Sequence, residues 1–142
     1  MKTQFPVLLF DFEGTLVDFQ WKLKDAARDA ATRAVPLATD RNLARYVTKQ
    51  ELAVEARSGL KAGQHLTGPS EATIALSAES AKARYGLLHK TPQALEIWRV
   101  PKGTPAKVNP ALGGKAGATE ATLTRPLPPR NLIRVEPLPA GR

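Results

Sequence analysis

The pattern of apolar and polar positions divides the chain into short elements. Val7–Phe10 is a continuous apolar run, which favours a buried strand that ends at Asp11. Gly14 lies just beyond and favours a tight loop. The stretch Trp21–Val35 is rich in alanine and carries apolar residues at helical spacing. It therefore predicts a helix, which Pro36 ends.

Two further helices are predicted from their capping residues. Thr48 and Glu51 have the spacing of a capping box, which indicates a helix that continues to about Ser58. A second helix, Ala78–Tyr85, follows a serine cap and is followed by a glycine. Residues 36–47 have no clear period, so they are expected to be a connector.

The second half of the chain predicts strands and turns. A loop or short strand is expected over Leu60–Pro69. Four strands are predicted from apolar stretches bounded by glycine and proline, namely Leu95–Val100, Ala106–Val108, Thr119–Thr124 and Leu132–Glu136. Short strands joined by turns favour hairpins over parallel β-α-β units. The predicted fold class is therefore α+β, with a small basic module of helices and antiparallel strands.

Charge is distributed unevenly along the 142 residues, whose net charge is +8. Residues 41–142 hold sixteen of the 21 basic residues and seven of the 13 acidic residues. This asymmetry predicts three parts: a strand-loop-helix segment over 1–36, a basic α+β module over 41–138 and a tail over 139–142. A basic module favours an anionic partner such as RNA or another polyanion.

Composition also bears on location. The chain has no cysteine, which excludes a disulfide framework and thiolate metal sites and fits a reducing compartment such as the cytoplasm. No apolar run approaches the roughly 18 residues of a membrane span, so no membrane partner is expected.

The N-terminal stretch resembles the first motif of the haloacid dehalogenase (HAD) superfamily of phosphatases and phosphotransferases. Its pattern is a hydrophobic strand followed by Asp-x-Asp-x-Thr, and here Asp11, Glu13 and Thr15 stand at the three positions. The resemblance implies that Asp11 is the nucleophile, that Glu13 is the acid/base, and that both lie at a magnesium site. It also implies that Thr15 contacts the bound phosphate.

The sequence departs from the HAD pattern in two ways. Glu13 replaces the usual aspartate, which moves the proton donor by about one bond length. No adjacent acidic pair follows Asp40, although the family uses such a pair to hold magnesium. We therefore expect negligible magnesium-dependent phosphatase activity.

Residues 48–138 are similar to C-terminal domains of bacterial polymorphic toxins. The resemblance depends on Gly63–Thr67, Tyr85–Leu87 and Val100–Pro105, which read GQHLT, YGL and VPKGTP. It covers about ninety residues, and it implies either a metal-independent ribonuclease or an ADP-ribosyltransferase that uses NAD. A neutralising immunity protein is then an expected partner.

The candidate catalytic residues follow from these two chemistries. A ribonuclease needs a proton-transferring histidine and a hydroxyl, which His65 and Thr67 provide. An ADP-ribosyltransferase needs a group that holds NAD and a glutamate that stabilises the ribosyl cation, and these are His65 and Glu120. His89 lies in a turn and is expected to be exposed.

Three functions are therefore predicted, in this order. The first is a toxin-type enzyme that acts on RNA or NAD. The second is a truncated or degenerate HAD phosphohydrolase that uses Asp11. The third is a basic RNA-binding or interaction protein without catalysis.

Overall fold

The computed structural model describes residues 12–140. Its helices are α1 (Phe12–Ala31), α2 (Lys49–Ser58) and α3 (Ala78–Tyr85), with a short 3-10 turn at Pro129–Asn131. Its strands are β1 (Val35–Pro36), β2 (Arg41–Val47), β3 (His65–Thr67), β4 (Ala94–Val100), β5 (Pro105–Pro110), β6 (Thr119–Leu123) and β7 (Leu132–Pro137).

The strands form two antiparallel sheets among the described residues. One has the order β1-β5-β6-β3 and the other has the order β2-β4-β7. The predicted α+β class is confirmed. None of the described helices combines the length and the apolar character that crossing a membrane would require.

Most of β2 and β4 in the three-stranded sheet is buried on both faces, whereas β7 is largely exposed. On one face, Leu43 and Trp98 are opposite each other on β2 and β4 and pack with residues of the other sheet, so this cluster joins the two sheets. On the other face, Tyr46 lies opposite Leu95 and packs against α3, including Tyr85. The module therefore has one core cluster between the sheets and a second beneath α3.

The capping residues place α2 and α3 as predicted. The Thr48 side chain accepts from the backbone of Glu51, and the Glu51 side chain accepts from the backbone of Thr48, which completes the capping box. Ser77 caps α3, and Gly86 ends it in the left-handed conformation with φ of 68°. The strands predicted in the second half are also confirmed, within one or two residues at their ends.

Two predictions for residues 12–47 are wrong. The tight loop expected at Gly14 is helical, because α1 begins at Phe12, and the helix ends at Ala31 rather than Val35. The connector expected over residues 36–47 contains β2, which pairs along its whole length with β4. Residues 43–47 of β2 are all buried, so the strand has no alternation of polar and apolar residues for a sequence pattern to detect.

Candidate active site

Strands β3 and β6 bring the residues of the toxin-type prediction together. Thr67 lies opposite Glu120, and His65 lies opposite Thr122 in the same antiparallel pair. Side chains two residues apart on a strand share a face, so all four project from the same side of the sheet. The structure thus joins His65, Thr67 and Glu120 at one place, although more than fifty residues separate the first and last of them.

The imidazole of His65 lies among carboxylates. Its Nδ1 is 2.8 Å from Thr122 Oγ1 and 3.5 Å from Glu120 Oε2. Its Nε2 is 3.7 Å from Asp25 Oδ2 and 3.9 Å from Asp29 Oδ2. Both ring nitrogens therefore lie near carboxylate or hydroxyl oxygens, an arrangement that holds the plane of the ring in one orientation.

Helix α1 contributes charged residues that the sequence analysis did not place at the site. Arg28 Nη2 forms an ion pair with Glu120 and lies 3.2 Å from Asp25 and 3.4 Å from Asp29. Arg28 Nη1 also donates to the backbone carbonyl of Pro110 at 2.7 Å. Asp25, Arg28 and Asp29 have the i, i+3, i+4 spacing of one helix face, which was the available signal.

Polar contacts anchor α1 to the four-stranded sheet. Lys107 Nζ donates to the backbone carbonyl of Asp29 at 2.8 Å, and Asn109 Nδ2 donates to the Asp29 carboxylate at 3.1 Å. The Thr32 hydroxyl donates to Asn109 Oδ1 at 2.7 Å. The charged face of α1 is therefore fixed against β5 and β6, beside Glu120.

Glu120 combines burial with neighbouring positive charge. Its side chain is 13% exposed. Burial raises the pKa of the Glu120 carboxyl, while the positive charges of His65 and Arg28 oppose that rise. A buried carboxylate of this kind gains most from a cationic ligand or transition state, because such a partner offsets the cost of keeping the carboxylate ionised.

A pocket of about 440 Å³ opens beside Glu120, within the range of small-molecule sites. Its wall includes the two tyrosines Tyr46 and Tyr85, whose ring centroids are 5.7 Å apart. Apolar side chains, hydroxyls, cations and carboxylates share the lining, which includes Lys22, Asp25, Arg45, Glu51, His65, Leu66, Thr67, Leu87, His89, Lys90 and Glu120.

Glu71 fixes the pocket wall to the strand that carries Glu120. The Glu71 carboxylate accepts from the Tyr85 hydroxyl at 2.8 Å and from the backbone N–H of Thr119 at 2.9 Å. Burial opposes ionisation of Glu71, but hydrogen bonds from Arg84, Tyr85 and Thr119 lower its pKa. Helix α3 and the start of β6 are therefore held together by a carboxylate that remains ionised.

Asp25, His65 and Glu120 include one ligand atom each within 4.8 Å of one another, a spacing that a divalent cation accepts. The guanidinium of Arg28 contacts both of these carboxylates and supplies positive charge at the same place. The negative charges of Asp25 and Glu120 are therefore balanced in part by the guanidinium of Arg28.

The remaining residues singled out from the sequence lie away from Glu120 in the chain, and the structure describes only some of them. Asp11, the nucleophile of the HAD resemblance, lies outside the described residues. Glu13 and Thr15 lie in α1, where the structure describes the helical backbone and not these side chains. The prediction of a magnesium and phosphate site there stays a prediction. His89 is exposed, as predicted, and it contributes to the pocket lining.

Comparison of the chain with family models, with curated proteins and with solved structures finds no match. Evidence on function therefore comes from the geometry of the pocket.

Proposed function

We propose that this protein is a toxin-type enzyme that cleaves the bond between nicotinamide and ribose in NAD. The ADP-ribosyl group is transferred to water or to a nucleophile of a target protein. The observation that carries the proposal is the position of Glu120, a largely buried carboxylate beside His65 and Thr67 at a pocket of about 440 Å³.

Cleavage of this bond requires an ionised carboxylate and does not require a proton donor for the leaving group. The nicotinamide ring of NAD carries a positive charge and leaves as a neutral molecule, taking the electron pair of the glycosidic bond. Positive charge then develops on the ribose, and an ionised Glu120 stabilises it. The nucleophile forms the new bond to the same ribose carbon and loses a proton, which completes the balance.

The pocket lining suits the parts of a dinucleotide. Tyr46, Tyr85, Leu66 and Leu87 provide aromatic and apolar surface for a planar ring. Cationic side chains on the same lining suit a pyrophosphate, and these are Lys22 and Lys90.

Thr67 and His65 have separate roles in this proposal. The Thr67 hydroxyl accepts a hydrogen bond from the backbone N–H of Ala44 at 3.3 Å, so its own proton can be donated towards the substrate. His65 lies between Glu120 and Asp25 and orients the Glu120 carboxylate.

Local charge favours NAD over RNA as the substrate. Three carboxylates, those of Asp25, Asp29 and Glu120, lie within 4 Å of both Arg28 and His65. Cleavage of RNA passes through a phosphorane that adds negative charge, which this surrounding disfavours. Cleavage of NAD develops positive charge on the ribose, which the same carboxylates stabilise.

RNA cleavage is the second candidate, because His65 and Glu120 lie close enough to act as a proton-transferring pair, with Nδ1 3.5 Å from Oε2. The excess of basic residues after position 40 supports electrostatic attraction to RNA in either case. A neutralising immunity protein and action in the cytoplasm belong to the toxin-type proposal.

Two assays on one preparation separate the candidates. NAD consumption and RNA cleavage are measured for the wild type and for His65→Ala, with His89→Ala as the matched control and circular dichroism as the test of folding. We expect NAD consumption by the wild type and by His89→Ala, and a large loss in folded His65→Ala. RNA cleavage that depends on His65, without NAD consumption, would favour the second candidate and contradict the first.

A further inference from the structure

The guanidinium of Arg45 lies beneath the proposed site and links it to α2. Arg45 is on β2 and is only 7% exposed. Its Nε and Nη2 donate to the two carboxylate oxygens of Glu55 at 2.9 and 2.8 Å. Its Nη1 donates to the backbone carbonyl of His65 at 2.9 Å. One buried side chain therefore connects α2, β2 and the strand that carries His65.

Glu55 holds the start of β3 by a second route. Gln64, the residue before His65, donates from Nε2 to Glu55 Oε2 at 3.2 Å. Two consecutive residues of the chain are thus linked to the Arg45–Glu55 ion pair, one through its side chain and one through its carbonyl. Strand β3 has only three residues, and these two links add to the backbone hydrogen bonds of its pairing with β6, which continues on either side of it through Gly63 and Gly68.

A third buried group, Glu96, completes the cluster. It lies opposite Arg45 in the β2–β4 pair and is fully buried, with Oε1 4.0 Å from Arg45 Nε. Its Oε1 accepts from Trp98 Nε1 at 2.9 Å, while Oε2 makes no hydrogen bond with a described residue. Burial and the neighbouring Glu55 carboxylate raise the pKa of Glu96 to about 8. Near neutral pH, Glu96 is therefore largely protonated, and the positive charge of Arg45 is balanced by the negative charge of Glu55.

We propose that Arg45 is a positioning residue for the reaction: its hydrogen bond to the His65 carbonyl sets the place of His65, and hence of Glu120, and its two hydrogen bonds to Glu55 hold the guanidinium in place. This inference rests on the proposed function, because it assigns Arg45 a role in the same site. Arg45 acts through the backbone of β3.

The charges around this cluster come from several elements. Glu55 and Glu51 face Arg45 from α2, with Glu51 Oε2 3.5 Å from Arg45 Nη2. Lys90 lies 3.0 Å from Glu51 and balances its charge. Ionisation of Glu96 above neutral pH adds a second buried negative charge next to Glu55. The guanidinium of Arg45 is then attracted by the carboxylates of both Glu55 and Glu96. We expect this to weaken the hydrogen bond from Arg45 Nη1 to the His65 carbonyl.

The first part of the test is Arg45→Lys. Lysine keeps the positive charge but cannot donate to both Glu55 oxygens and to the His65 carbonyl in the geometry of the guanidinium. The matched control is Arg99→Lys on β4, where the arginine is exposed and pairs with Asp40. We measure kcat and KM for NAD, and the NMR signals of the His65 ring, with the signals of His89 as an internal reference.

For Arg45→Lys we expect a fall in kcat of about tenfold or more, since small misplacements of catalytic groups are costly, with KM changed much less. The chemical shifts of the His65 ring should change, while those of the His89 ring stay in place. Unchanged His65 signals in a folded Arg45→Lys protein would overturn the proposal.

The second part is Glu96→Gln, which keeps the group neutral at every pH, with Glu79→Gln as the exposed control. The His65 ring signals of the wild type should change as Glu96 ionises, and the same change should be absent in Glu96→Gln. Persistence of the full alkaline change in Glu96→Gln would also overturn the proposal.

The NMR readouts do not need turnover. If the wild type does not consume NAD, the proposed function fails, while the His65 signals still decide whether Arg45 positions β3. If Arg45→Lys does not fold, the comparison of the wild type with Glu96→Gln remains decisive.

Discussion

Glu120 and His65 meet across the two antiparallel strands β6 and β3, with Oε2 3.5 Å from Nδ1. Arg28 reaches the same carboxylate from α1. The ionisation of Glu120 therefore depends on two cationic neighbours that belong to different parts of the fold. Each of them can be changed separately.

Replacing Arg28 by glutamine should move the pH dependence of activity. Burial raises the pKa of Glu120 above its ordinary value of 4.5, and Arg28 is one of the groups that lower it. Activity that needs ionised Glu120 falls as the pH drops through this raised pKa. Without Arg28 the pKa rises further, so the acidic limb of kcat/KM for NAD should move to higher pH.

The control for this change is Arg33→Gln, which removes an exposed arginine just beyond the end of α1. Its profile should follow that of the wild type. An acidic limb at the same pH in Arg28→Gln and the wild type would show that Arg28 does not influence the group that limits activity.

Gly86→Ala should destabilise the protein more than Gly103→Ala does. Both glycines have positive φ, 68° and 88°, so both substitutions strain the backbone. A Cβ on Gly86 would lie 2.2 Å from the carbonyl oxygen of Leu112, whereas nothing lies within 4 Å of a Cβ on Gly103. Strain alone costs about 1–2 kcal/mol, and the collision at Gly86 adds to it.

Denaturant unfolding of both variants measures this difference directly. We expect the midpoint of Gly86→Ala to be clearly lower than that of Gly103→Ala, with similar slopes. Equal midpoints would mean that the end of α3 and the loop at Leu112 are not held together as the structure has them.

Glu96→Gln should change how stability depends on pH. The folded pKa of about 8 exceeds the ordinary value of 4.5, so the folded state binds more protons than the unfolded state between these values. The free energy of unfolding contributed by Glu96 therefore falls as the pH rises from about 4.5 to about 8. Glutamine removes this dependence, so the variant should gain thermal stability relative to the wild type as the pH rises.

Thermal unfolding of the wild type, Glu96→Gln and Glu79→Gln across this range tests the prediction. A gain of about 1 kcal/mol corresponds to roughly 4 °C in Tm for a domain of this size. The exposed control should keep a constant offset from the wild type. A constant offset for Glu96→Gln as well would show that Glu96 ionises with an ordinary pKa.

The sequence predicted those elements whose ends are determined by interactions between residues close together in the chain. The capping box at Thr48 and the cap at Ser77 place α2 and α3, because a side-chain oxygen next to orphan backbone N–H groups is stabilising in most contexts. Strand β2 was missed because its partners are distant in sequence. Arg45 is charged and buried, and the carboxylates of Glu51, Glu55 and Glu96 together with the His65 carbonyl make that burial possible.

Only part of the site was predicted, because the rest depends on contacts between residues distant in sequence. His65, Thr67 and Glu120 were chosen for their chemistry, and the pairing of β3 with β6 places them together. Asp25 and Arg28 were not assigned to the site from the sequence. Their role depends on where α1 docks, which the contacts of Lys107 and Asn109 determine and which no local pattern shows.

Release of nicotinamide from NAD by the wild type and by Glu120→Gln tests the central claim most directly, with Glu79→Gln as the matched control. Glutamine keeps the size of the side chain and removes the charge that we propose stabilises the ribosyl cation, so the rate should fall by about 100-fold or more in a protein that remains folded. Glu79→Gln should match the wild type. Nicotinamide release by folded Glu120→Gln at the wild-type rate, or none by the wild type, would contradict the account.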